Sequence, residues 1–75
     1  MKQIKINNVG KIIFGDNKGW FIKIEDDRKK SSGFLIIVSP NEDFSDVAYD
    51  TWVANTIDLE KYFFEAKWKV KWLNI

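Results

Sequence analysis

The run Phe34-Leu35-Ile36-Ile37-Val38 is apolar at every position, and it constrains the fold more than any other segment. It is strand-sized, and a strand with one wet face would alternate, so continuous apolarity marks an interior strand covered on both sides. Pro40 ends it, because proline has no N–H to give a ladder. An interior strand needs partners on both edges. Gly15-Asp16-Asn17-Lys18-Gly19 is the strongest turn signal in the chain, since Gly and Asn accept positive φ cheaply. It joins residues 11–14 to residues 20–25 as a hairpin. In the second arm Trp20, Ile22 and Ile24 fall on one face, and Phe21, Lys23 and Glu25 on the other. Ile4 and Ile6 flank Lys5 and start a first strand, with a turn at Asn7-Asn8-Val9-Gly10.

Residues 26–33 (DDRKKSSG) form a polar excursion closed by glycine, and residues 41–46 (NEDFSD) an acidic loop. Residues 49–54 read as another strand. Thr56 or Asp58 caps a helix beginning near Ile57, in which Leu59, Phe63 and Ala66 recur at i, i+4 and i+7 and Tyr62 widens the stripe. Trp68-Lys69-Val70-Lys71-Trp72 then alternates strictly and is a strand. The expected fold is α+β: a four- or five-stranded, mainly antiparallel sheet, one helix near the C-terminus packed on one face, and a final strand after it. Residues 1–75 read as a single domain. One helix covers one face, so the other is left to solvent, a partner or a second copy.

A 75-residue chain buries a small fraction of its surface and needs strong packing. Four Trp, six Phe and two Tyr supply it, at roughly 150–250 Å² buried per ring. The chain has no cysteine, which favours a reducing compartment over a secreted, disulfide-stapled domain. The segment Met1-Lys2-Gln3-Ile4-Lys5-Ile6 lacks the apolar core of a signal peptide, and no apolar run approaches a membrane span. The expectation is a cytoplasmic protein with no membrane contact, monomeric or homodimeric.

Chemistry is narrowed by what is missing. Without histidine or cysteine the chain lacks the usual neutral-pH base, a thiol nucleophile and the ligands of nearly all zinc sites. Ser31 and Ser32 follow Lys29 and Lys30, but a solvated loop does little to lower a lysine pKa. Asn41-x-Asp43-x-Ser45 starts like a calcium loop and then fails, with Asp46 where glycine and Trp52 where glutamate belong. The expected protein is not an enzyme and carries no cofactor.

Two constellations are left that can bind. Lys67, Lys69 and Lys71 interleave with Trp68 and Trp72, a pattern that invites single-stranded nucleic acid. On a strand, however, alternate side chains point to opposite faces. The tryptophans therefore belong to the core, and the lysines form a row that guards an edge strand. With twelve basic and eleven acidic side chains, the net charge of +1 shows no basic excess either. The second constellation is acidic: Glu42, Asp43 and Asp46 in one loop and Asp50 in the next strand, beside Tyr49 and Trp52. Solvated turn acids are ordinary, but acids rimming an aromatic anchor also suit docking onto a basic protein surface. Tyr49 and Trp52 differ in strand parity, so one ring faces the core side and the other the uncovered side.

Asp16-Asn17-Lys18-Gly19-Trp20-Phe21-Ile22-Lys23-Ile24, residues 33–38, Tyr49-Asp50-Thr51-Trp52-Val53, Leu59-Glu60-Lys61-Tyr62-Phe63 and the closing Trp68-Lys69-Val70-Lys71-Trp72-Leu73 together form a pattern over residues 10–73. It resembles the small immunity proteins of bacterial polymorphic-toxin systems, α+β chains with a D-N-x-G-W hairpin and an aromatic C-terminal segment. The resemblance rests on turn and core positions and implies stoichiometric inhibition of a cognate toxin by occlusion. The leading expectation is thus a protein-binding inhibitor with Glu42, Asp43, Asp46, Tyr49, Asp50 and Trp52 at its interface. The alternatives are a β-rich nucleic-acid-binding module using Lys67, Lys69, Lys71 and residues 28–30, or a phage or mobile-element inhibitor of a host defence protein.

Overall fold

The computed structural model describes residues 4–73. In chain order the elements are β1 (Val9–Phe14), β2 (Phe21–Asp27), a single-turn α1 (Arg28–Ser31), β3 (Gly33–Ser39), β4 (Tyr49–Val53), α2 (Thr56–Ala66) and β5 (Lys69–Trp72). The strands form one five-stranded sheet in the order β4-β3-β2-β1-β5, and every neighbouring pair is antiparallel. β4 and β5 occupy opposite edges and run in the same direction. A chain leaving one and entering the other must be carried back along the strand axis, and α2 does this. The helix therefore lies across one face of the sheet. This is the α+β architecture read from the sequence, with five strands among the described residues.

Cross-strand register sorts the side chains into two faces. Ile22 stands opposite Val38 and Gly10, Ile24 opposite Ile36, Phe34 opposite Val53, and Ile12 opposite Val70. These residues face α2, whose Leu59, Phe63 and Ala66 close the core with Trp68. Ile12, Ile22, Ile24 and Leu59 have no exposed surface at all. Val70 and Trp72 pack at the border of this core, as the alternation of the last strand requires. No helix of the described residues is long and apolar enough to cross a membrane.

Four local expectations are corrected. Ile4 is buried, but Ile4 and Ile6 are not in a strand; Asn7 has φ 60°, its N–H donates to the Ile24 carbonyl at 2.7 Å, and the segment packs beside β2 rather than extending the ladder. Met1–Gln3 of the leader argument lie outside the described residues. The helix cap is Asn55, not Thr56 or Asp58: its extended backbone (φ −158°) lets the side-chain oxygen accept from the Asp58 N–H at 2.8 Å. Within the polar excursion, Arg28–Ser31 makes one helical turn, with Arg28 forked onto Asp26. Finally, β3 is interior but covered on one side only. Leu35 and Ile37 are half-buried on the face away from α2, because an 11-residue helix spans a single face.

Candidate functional site

The face that α2 leaves open is ordered by the same register. Asp50, Ile37, Lys23 and Val9 form one row across four strands, and Trp52, Leu35 and Glu25 form the next. A third row runs Ser39, Phe21, Lys11, Lys71. Between Ile12 and Phe14 the register against β5 shifts by one residue, which brings Phe14 opposite Lys69. Simple alternation puts Phe14 with Ile12; the irregularity turns it to the lysine side instead.

This overturns half of the argument from alternation. Lys69 and Lys71 do face away from Trp68 and Trp72. They do not face water alone, because Phe14 and Phe21 reach the same surface from β1 and β2. The Lys69 Nζ lies 5.7 Å from the Phe14 ring centre and Lys11 5.8 Å from Phe21, while Lys23 lies 5.3 Å from Phe44, which the β3–β4 loop folds over this face. Each is within cation–π range. Lys11 and Lys71 are directly opposed across β1 and β5, an arrangement that repels. Neighbouring strands bring these groups together, so one strand's sequence carries no signal for them.

The acidic candidates disperse. Glu42, Asp43 and Asp46 are exposed in the β3–β4 loop, which is held by its own bonds: Ser39 Oγ donates to Val47 O at 2.5 Å, Asn41 Nδ2 to Ser45 O at 2.8 Å, and Phe44 N–H to Asn41 O at 3.0 Å. Asp43 is part of that scaffold. Hydrogen bonds from Ser45, including its N–H at 3.0 Å, hold the Asp43 carboxyl below the usual carboxylate range. Phe44 and Asp46 adopt left-handed φ values of 59° and 62°, so the loop turns sharply where its acids lie. Among the described residues no three acidic side chains converge as a metal site would require.

Asp50 and Trp52 share the open face at the sheet's edge. Trp52 is 48% exposed, and its indole lies so low over Gly33 that a Cβ there would stand 2.5 Å from Nε1. Tyr49 points the other way, as parity predicts. It stacks on Trp20 at 6.0 Å on the α2 side, yet remains exposed. The six residues therefore belong to three places: a loop, the open face at β4, and an aromatic cleft beneath the helix end.

The two sheet edges differ. β5 has four residues, two of them lysines, and an irregular register. β4 pairs with β3 without interruption over five residues and contains neither lysine nor proline. β5 thus has lysines and an irregular register against strand addition, whereas the one charged side chain of β4 is Asp50. No protein-family model, curated protein or solved structure matches the chain.

Proposed function

We propose that this chain is a non-catalytic protein-binding domain that seats its partner along the β4 edge and the adjoining half of the open face. The observation that carries the reading is Trp52, a half-exposed indole beside half-buried Leu35 and Ile37 on a regular edge strand that has neither lysine nor proline. A partner segment adding to β4 gains backbone hydrogen bonds from the edge, an apolar contact from Trp52 and a charged one from Asp50. Neutralising a cognate bacterial toxin by occlusion is the task we assign to this docking. The resemblance to small immunity proteins supports that task, as does the absence of histidine and cysteine.

A second reading is favoured by one specific observation. On the β1–β5 half of the same face, Lys11, Lys69 and Lys71 stand among Phe14 and Phe21, which offers cations for phosphates and rings for bases. One experiment separates the two. Tagged protein is recovered from native lysate with and without nuclease, the bound protein is identified and purified, and its affinity is measured for the wild type and Trp52→Ala. The proposal expects a single partner that survives nuclease, and a loss of about 30-fold or more on truncating Trp52, the scale of an interface hot spot. Recovery that vanishes with nuclease, with affinity falling steeply with salt, replaces the proposal with the nucleic-acid reading. Self-association through β4, lost in Trp52→Ala, replaces it with a homodimer.

A further inference from the structure

The cleft on the other side of the sheet begins with the β1–β2 turn docking on the end of α2. The Asp16 N–H donates to the Ala66 carbonyl at 3.0 Å, and the Trp68 indole N–H donates to the Asp16 carbonyl at 2.6 Å. Lys67, with φ 58°, ends the helix, and its N–H bonds back to Phe64 at 3.1 Å. Trp68 is thereby fixed against Tyr62, ring centres 5.4 Å apart. Trp20, which follows the turn, stacks on Tyr49. These two aromatic pairs line one cavity of about 200 Å³, together with Ile36 and Val38 of the sheet and the polar side chains of Asn17 and Thr51.

Three features distinguish this cavity from a packing gap. Tyr49 and Tyr62 are 59% and 37% exposed, so both rings stand at an opening rather than inside the core. Trp68 is itself buried, held by Phe63 with ring centres 5.1 Å apart and by its N–H bond to Asp16, so it forms the floor of the cavity while the exposed tyrosines form its rim. Finally, the charged groups that line the cavity and the hollow beside it have one sign. Asp16 and Glu65 line the adjoining hollow, which shares Tyr62 and Trp68 with the cavity, and no lysine or arginine lines either. The adjoining hollow reaches Glu65 and Ala66 at the C-terminal end of α2, where the helix dipole is negative. Aromatic faces and carboxylates attract the same kind of ligand.

We propose that this cleft binds an organic cation, an ammonium or guanidinium head received between the Trp20–Tyr49 and Tyr62–Trp68 pairs with Asp16 and Glu65 at its mouth. The head belongs either to a small amine or to a lysine or arginine side chain of a protein. The site lies on the α2 side of the sheet, so it stands whether or not a partner docks on the open face.

The test is a titration of the isotopically labelled protein, read at the indole N–H signals of Trp20 and Trp68. The probes are choline, its uncharged isostere 3,3-dimethyl-1-butanol, and the N-acetyl methylamides of lysine and arginine. Cations are expected to bind at least about fivefold more tightly than the isostere, the ratio a single cation–π contact supplies. Tighter binding of the amino-acid amides than of choline assigns the site to a protein side chain; the reverse order assigns it to a small ammonium compound. Tyr49→Leu and Glu65→Gln should each weaken choline binding while Tyr49→Phe preserves it, with circular dichroism confirming the fold of all three. Equal affinity for the uncharged isostere overturns the proposal, as does the absence of any shift with all four probes.

Discussion

Gly15 and Gly19 bracket the β1–β2 turn with nearly the same backbone, φ +99° and +93°, but only one of them is pressed against another element. A Cβ on Gly15 would stand 2.5 Å from the Ala66 carbonyl oxygen and closer still to that of Lys67, whereas a Cβ on Gly19 meets nothing within 4 Å. Gly19→Ala therefore carries backbone strain alone, about 1–2 kcal/mol. Gly15→Ala carries the same strain plus an overlap with main-chain atoms that cannot rotate away, a further cost of about 1–3 kcal/mol. A domain of this length has roughly 4–11 kcal/mol in total, so the second variant should lose a large share of it. Urea unfolding followed by tryptophan fluorescence measures both. The melting temperature should fall by roughly 4–8 °C per kcal/mol lost, and Gly15→Ala should fall further than Gly19→Ala by a clear margin. Because the φ values match, the difference between the variants isolates the docking of the turn on the helix end. If Gly15→Ala costs no more than Gly19→Ala, that close contact does not hold the hairpin to α2, and the cation cleft built on it loses its support as well.

Two further measurements probe the rest of the frame. Asn55→Ala removes the acceptor for the Asp58 N–H and should lower stability by about 0.5–2 kcal/mol in the same assay, with Asn55→Asp close to the wild type. Arg28 donates to the Asp26 carboxylate and holds its pKa at about 2 against the ordinary 3.8. The folded-state value is the lower one, so this contact stabilises the fold above pH ~3.8 and is lost as pH falls through about 2. Because the pair is exposed, Asp26→Asn should shift the urea midpoint only slightly at pH 6, and the shift should shrink as pH is lowered from 3.8 towards 2.

The fold was legible in large part because its signals are local. A strictly apolar run, a Gly-Asp-Asn-Lys-Gly turn, an i, i+4, i+7 stripe at Leu59, Phe63 and Ala66, and alternation through Trp72 each report on neighbours within a few residues. Those rules located the helix, the hairpin, the interior strand and the last strand to within a residue or two. The cap was placed one or three positions late, at Thr56 or Asp58, because Asn55, Thr56 and Asp58 are all competent acceptors, and only the extended backbone at Asn55 decides among them. The candidate site was less legible. Alternation assigned Tyr49 and Trp52 to opposite faces, but the spacing of Glu42, Asp43, Asp46 and Asp50 gave no hint that Asp43 is bonded within its own loop.

By itself, the sequence of this protein determined which residues prefer burial and which face of each strand they share, because side-chain alternation and helical periodicity are properties of the backbone. Tertiary structure decided what those faces meet. The strand order set Lys11 opposite Lys71, and a shift of register carried Phe14 to their side of the sheet. The crossing of α2 from one edge to the other left Leu35 and Ile37 only half-buried, and the turn docked on its end brought Trp20, Tyr49, Tyr62 and Trp68 around one cavity. These juxtapositions join residues more than 50 positions apart, as at Asp16 and Trp68, a separation over which no local pattern carries information.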